Sequence, residues 1–106
     1  MVTGDMVERA VQALLEFTPS GTQVILFGSR ARGEEQHDSD LDFLVVEPEV
    51  ADRFGEMVRL SRLLGEMLVP ADVVVMGRKM FERFRDTPNT LANRAWKEGR
   101  FYDAAA

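Results

Sequence analysis

The run LDFLVVE at residues 41–47 constrains the fold of this chain more than any other segment. Beyond Asp42, both faces of the predicted strand are apolar, which is typical of a strand covered on both sides. A long amphipathic segment follows at residues 50–68, and then a second apolar run, ADVVVM. Because parallel strands need a crossover of about this length, the pattern predicts a strand–helix–strand unit with a parallel strand pair.

The remaining segments extend this unit into a small α/β (α+β) domain. Helical spacing of apolar residues predicts a first helix at residues 5–17, and QVILFG predicts a buried strand at residues 23–28. Two closing helices are predicted at residues 78–85 and 89–98. We therefore expect a mixed sheet of about three strands flanked by helices.

The helix predicted at residues 50–68 has one stripe that consists of Val50, Phe54, Met57, Val58, Ser61, Leu64 and Leu68. Of these, Phe54, Met57 and Leu64 are expected to face the core. Between the first two strands, SRARG is predicted to open a short helix and EEQHDSD to form a polar loop. Near the end of the chain, the aromatic residues are expected in the core or at a partner interface.

Composition excludes several classes of protein. The 106 residues support a single domain spanning residues 1–106. The chain has no cysteine, so a metal ion would be held by oxygen ligands, as Mg²⁺ prefers, or by His37. The net charge of −5 argues against direct nucleic-acid binding. The apolar runs are strand-sized and the start lacks a signal-peptide pattern, so we expect no membrane contact and a cytoplasmic location.

Chemically distinctive residues stand at the ends of the predicted strands. Gly28 and Ser29 end the first strand, Asp40 and Asp42 begin the second, and Asp72 begins the third. If the first two strands are antiparallel and the last two parallel, all five lie at one end of the sheet.

Three neighbouring carboxylates repel one another, and divalent cations relieve that repulsion. Such a set suits two Mg²⁺ ions that bridge nucleotide phosphates, with one carboxylate left to accept a hydroxyl proton. Glycine lets the backbone approach a phosphate closely, and Ser29 adds a hydroxyl donor. Arg30 and Arg32 are candidates to neutralise phosphate charge, although at least one of them is expected to point to solvent.

Gly-Ser, then Asp-x-Asp on the next strand and a lone Asp on a third, resembles the DNA polymerase beta-like nucleotidyltransferase superfamily. GSRARG…SDLD looks closest to its minimal nucleotidyltransferases (MNT), and the tail NRAWKEGRFYD is similar to the end of MNT proteins. The resemblance implies that Gly28 and Ser29 bind phosphate. It also implies that Asp40 and Asp42 bind metal, and that Asp72 binds metal or acts as the general base.

The resemblance further implies an adenylyl-type transfer, in which a hydroxyl attacks the α-phosphate of ATP and pyrophosphate leaves. Many MNT proteins are antitoxins that transfer AMP to a tyrosine of a HEPN-domain RNase toxin. The sequence offers no second domain to hold an acceptor, so we expect a HEPN-type partner protein as acceptor, in a homo- or hetero-oligomer. The alternatives are a non-catalytic antitoxin that acts by contact, and a nucleotidyltransferase for a small molecule such as an aminoglycoside.

Overall fold

The computed structural model describes residues 4–28 and 40–104 of the chain. In chain order, its helices and strands are α1 (Gly4–Glu16), β1 (Gln23–Phe27), β2 (Leu41–Glu47), α2 (Arg53–Glu66), β3 (Ala71–Gly77), α3 (Arg78–Phe84), α4 (Leu91–Glu98) and β4 (Arg100–Asp103). The predicted short helix at SRARG, and all but the last residue of the predicted loop EEQHDSD, lie outside the described residues. No helix in the described ranges is both long and apolar enough to cross a membrane.

The strand–helix–strand prediction is confirmed. β2 pairs in parallel with β3 across the α2 crossover, and it pairs antiparallel with β1 on its other side. The strand order of the sheet is β3-β2-β1-β4. The strands of the central pair consist mainly of Val, Ile, Leu and Phe, whose branched and aromatic side chains favour a pleated surface.

β2 is buried on both faces, as its sequence predicts. Phe43 and Val45 pack with residues of α1 and α2, whereas Leu44 and Val46 pack with residues of α3 and α4. None of these four side chains is more than 2% exposed. Burying a side chain of this kind stabilises the fold by roughly 1.5 to 3 kcal/mol. β2 therefore contributes to the stability of both hydrophobic layers.

The described residues form a sheet of four strands, and the one beyond the predicted three is β4. Residues 100–103 pair antiparallel with residues 23–26 on the outer edge of β1. Gly99 alone joins α4 to β4, and a Cβ there would collide with the Ala95 carbonyl and the Ile25 side chain. RFYD is too short and too exposed to carry an alternation signal, so the pairing depends on the open edge of β1.

The predicted core stripe of the long helix is wrong at three of its residues. Phe54, Val58 and Leu68 are 78%, 53% and 81% exposed, whereas Leu60 and Leu64 are buried and Met57 packs against them in part. Two adjacent stripes of α2 both have helical spacing, and the sequence pattern does not distinguish them. The start of the helix is set instead by polar contacts: Asp52 accepts a hydrogen bond of 3.0 Å from the Gly55 amide.

The C-terminal aromatic residues are intermediate in burial. Trp96 is 42% exposed and makes edge-to-face contacts with Phe81 and Phe101, at ring-centroid distances of 6.0 and 5.7 Å. Tyr102 packs against the core on the α1 and α2 side. The contacts of Trp96 with Phe81 and Phe101 join β4 to α3 and α4, and Tyr102 holds β4 to the opposite layer.

Candidate active site

One end of the sheet brings the predicted glycine and aspartates together. β1 ends at Phe27, which lies opposite Asp42 of β2, and Asp42 lies opposite Asp72 of the parallel β3. Gly28 follows Phe27 directly, and the exposed Asp40 lies just before β2. The antiparallel and parallel pairings therefore place Gly28, Asp40, Asp42 and Asp72 at one end of the sheet, as the sequence predicts.

The strand alternation also determines on which side of the sheet the carboxylates lie. Asp42 shares its face with Leu44, and Asp72 shares its face with Val74, because side chains two residues apart point to the same side. Leu44 and Val74 both belong to the layer packed against α3 and α4. The carboxylates of Asp42 and Asp72 therefore face the side of the sheet that carries α3 and α4.

Gly28 lies directly against the Asp42 carboxylate. Its φ is +84°, and a Cβ built on its backbone would lie 2.5 Å from the Asp42 Oδ2. Glycine alone adopts this conformation without strain and leaves that space free. Glycine at this turn therefore allows the Asp42 carboxylate to lie directly against the backbone after β1.

The electrostatic surroundings of Asp42 favour its neutral form. Burial and the neighbouring charge of Asp72 raise its pKa, the positive charge of Arg94 opposes the rise, and the charge of Asp40 adds to it. A carboxylate in such a position gains from a positive partner. The site thus has the electrostatic character of a cation-binding position.

Arg94 is a candidate site residue that the sequence reasoning missed. Its guanidinium carbon lies 5.6 Å from the centroid of the Phe27 ring, above the strand end that faces Asp42. The nearest signal in the sequence is the pair Ala92 and Ala95, whose small buried side chains let α4 lie close to the sheet. Spacing alone does not reveal that this helix crosses the end of β1.

A family model for the nucleotidyltransferase domain matches residues 7–101. The chain belongs to the nucleotidyltransferase domain family. The match includes the end of β1, both strands that carry the aspartates, and α4, so the enzyme class rests on nearly the whole chain. No curated protein matches the sequence.

Solved structures share the fold of this nucleotidyltransferase domain. A candidate nucleotidyltransferase from Sulfolobus solfataricus is 27% identical, with 74% of this chain and 70% of that one covered and a TM-score of 0.58. A toxin–antitoxin complex with AMP-PNP has a chain that is 17% identical, with coverages of 97% and 75% and a TM-score of 0.63. A complex of tri-AMPylated HEPN toxin with MNT antitoxin from Shewanella oneidensis gives 18% identity, coverages of 96% and 74%, and a TM-score of 0.61.

Several predicted site residues of the nucleotidyltransferase domain lie outside the described residues. They are Ser29, Arg30 and Arg32, and His37 of the predicted polar loop lies outside the described residues as well. Their predicted positions, at phosphate for the first three and in a solvated loop for His37, therefore stay predictions. The described part of the predicted phosphate-binding turn is Gly28, where the absence of a Cβ removes one steric barrier to a phosphate.

The described carboxylates fit a hard cation through the facing pair Asp42 and Asp72. Within residues 4–28 and 40–104, no three acidic, histidine or cysteine side chains are gathered closely enough to hold a metal ion by themselves. Mg²⁺ commonly takes one or two protein carboxylates and completes its octahedral shell with phosphate and water oxygens. The pair therefore suits Mg²⁺ together with a nucleotide, with Asp40 as the next carboxylate, while the count of two ions stays a prediction.

Proposed function

We propose that this nucleotidyltransferase transfers AMP from ATP to a hydroxyl group of a HEPN-type toxin, in a Mg²⁺-dependent reaction, and so acts as its antitoxin. The observation that carries the proposal is the position of Asp42, between the bare backbone of Gly28 and the carboxylate of Asp72. The fold shared with chains of toxin–antitoxin complexes supports the choice of partner. In one of those complexes the HEPN toxin is tri-AMPylated.

In the proposed reaction, the residues of this chain bind, orient and accept a proton. Asp42 and Asp72 would hold Mg²⁺, which when bound offsets phosphate charge and orients the α-phosphate. The backbone at Gly28 would lie against the phosphates. A bond forms between the acceptor oxygen and the α-phosphorus, the bond from that phosphorus to the bridging oxygen breaks, and the hydroxyl proton passes to a carboxylate of the site that does not ligate Mg²⁺.

The acceptor is expected to come from another protein. Asp42 and Asp72 lie at the open end of a four-stranded sheet, and the described chain adds no element beyond them that would enclose an acceptor. A protein that presents its own hydroxyl group would supply the acceptor. Phosphoryl-group transfer depends chiefly on positioning, so a docked partner would contribute much of the rate.

Transfer of labelled AMP from [α-³²P]ATP to a HEPN-domain protein encoded beside this gene tests the proposal. We expect label on the partner with Mg²⁺, loss of label with EDTA, and loss with the Asp42→Asn variant. The matched control is Asp103→Asn, because Asp103 pairs with Gln23 at the opposite end of β1.

Two results would contradict the proposed transfer. Neutralisation of the toxin by Asp42→Asn as complete as by the wild type would indicate an antitoxin that works by contact alone. Adenylation of an aminoglycoside without any partner protein, together with an unlabelled HEPN protein, would indicate a small-molecule enzyme.

A further inference from the structure

α4 places positive charge beside the aspartates. The Arg94 guanidinium lies over Phe27, and Phe27 lies opposite Asp42 in the sheet. Arg94 is the positively charged residue that acts on the Asp42 carboxyl in the described part of the chain. The guanidinium and the carboxylates of Asp42 and Asp72 therefore lie on the same side of the sheet, and Arg94 is near enough to Asp42 for their charges to interact.

A surface depression of about 430 Å³ lies along α4, and its lining includes Arg94 but neither Asp42 nor Asp72. Arg94 and Lys97, which follow one another on the same side of the helix, both line it, as does Glu98. The Arg94 Nε lies 3.9 Å from the Glu98 Oε2, at the outer limit for an ion pair, and the Arg94 side chain is 53% exposed. Two positive charges and one negative charge thus border a space that is open to solvent, which favours an anionic ligand.

A nucleoside triphosphate at this site must place an anion of several charges next to a group of carboxylates. Mg²⁺ held by the carboxylates would neutralise part of that charge. A guanidinium offers paired N–H donors that match phosphate oxygens. Arg94 has the charge, the exposure and the position to neutralise the remaining negative charge of the triphosphate. Its stacking on Phe27 restrains the side chain, so less freedom is lost when it binds phosphate.

We propose that Arg94, assisted by Lys97, binds the phosphates that leave as pyrophosphate. The inference rests on the proposed function, because it assigns a residue to the same nucleotide site. As the acceptor oxygen bonds to the α-phosphorus, the electron pair of the breaking bond passes to the bridging oxygen of pyrophosphate. The Arg94 guanidinium donates hydrogen bonds to the oxygens that gain this charge, while the hydroxyl proton goes to a carboxylate.

Calorimetric titration in Mg²⁺ with ATP, inorganic pyrophosphate and AMP tests the assignment. For Arg94→Gln we expect the affinities for ATP and pyrophosphate to fall about 10- to 100-fold, as for loss of a hydrogen bond to a charged group, while AMP changes less than about 2-fold. Arg94→Lys should recover part of the loss. The matched control is Arg83→Gln, because Arg83 also lies over a ring, that of Phe84, at 5.3 Å.

Each other outcome overturns the assignment. If Arg94→Gln binds ATP as tightly as the wild type does, and likewise pyrophosphate, Arg94 does not bind phosphate. That result would leave the proposed function standing. An equal loss for all three ligands, with a lowered melting temperature, would show that Arg94 only supports the packing on Phe27. Wild-type protein that binds neither ATP nor pyrophosphate would overturn the proposed function itself, and the inference with it.

Discussion

Replacing Glu47 with glutamine is expected to stabilise the protein at alkaline pH. Glu47 ends β2 and is only 3% exposed, and no hydrogen-bond donor of the described residues reaches its buried Oε2. Glu56 of α2 accepts hydrogen bonds of 2.7 and 2.8 Å from the Arg59 guanidinium. The Glu47 carboxyl shares a hydrogen bond with Glu56, and a proton on Glu47 is what allows that contact.

The two carboxyls shift in opposite directions and hold one proton between them. Burial, together with the hydrogen bond to Glu56 and its charge, raises the pKa of Glu47 to about 8. The hydrogen bond from Arg59 is the main reason that the pKa of Glu56 is lowered, to about 2. At neutral pH the folded protein therefore carries a neutral Glu47 and an ionised Glu56.

The sign of the effect on stability follows from proton binding. An unfolded glutamic acid ionises near pH 4.5, so between that pH and about 8 the folded state binds more protons at Glu47 than the unfolded state does. The free energy of unfolding therefore falls as pH rises through this range. Each pKa unit corresponds to ~1.4 kcal/mol, so a loss of roughly 1 to 4 kcal/mol is expected for this coupled pair. Glutamine stays neutral and keeps a donor for Glu56, so it avoids the loss.

Urea unfolding of wild type and Glu47→Gln at pH 5, 6.5 and 8 measures the effect. We expect similar stabilities at pH 5 and a growing advantage for the variant at higher pH, of about 1 to 4 kcal/mol at pH 8. Glu49→Gln is the matched control, because Glu49 is exposed two residues further along the chain. Parallel pH profiles for wild type and Glu47→Gln would refute the reasoning.

Three further predictions concern the site and the core. Gly28→Ala should lower the free energy of unfolding, measured by urea denaturation, by about 1 to 3 kcal/mol, because φ at this position is +84° and the added Cβ would meet Asp42. Gly65→Ala is the control and should not destabilise the fold, because no atom lies near the added Cβ. Asp42→Ala should abolish Mg·ATP binding in calorimetry with an unchanged circular dichroism spectrum, and unchanged binding would place the nucleotide elsewhere. Phe54→Ser should change the free energy of unfolding by less than about 0.5 kcal/mol, whereas Leu60→Ala should lower it by about 2 to 5 kcal/mol. A large effect of Phe54→Ser would contradict the exposed position of Phe54.

The central strands and the convergence of Gly28, Asp42 and Asp72 are predictable because local rules determine them. An apolar run, a crossover helix and a second apolar run favour a parallel pair, whereas the 13 residues between β1 and β2 do not by themselves decide how those two strands pair. Once those pairings are given, positions at the strand ends follow without knowledge of side-chain packing.

The features that the sequence does not reveal depend on contacts between distant segments. The choice between Phe54 and Leu60 as the inward side of α2 is made by packing and by the cap at Asp52, because both stripes are apolar. β4 forms because residues 100–103 pair with the backbone edge of β1 that β2 leaves open. Arg94 reaches the site because α4 crosses the end of β1, and nothing in the spacing of NRAWKE specifies that crossing.

The pairing of β4 with β1 has a consequence for the chain while it is being synthesised. β1 is made early and β4 last, so one backbone edge of β1 lacks its partner until residues 100–103 have left the ribosome. An unpaired apolar strand edge binds extended segments of other chains. A fragment that ends before Gly99 would therefore keep both carboxylate strands and yet aggregate through β1, which gives residues 100–103 a protective role that does not involve the aspartates.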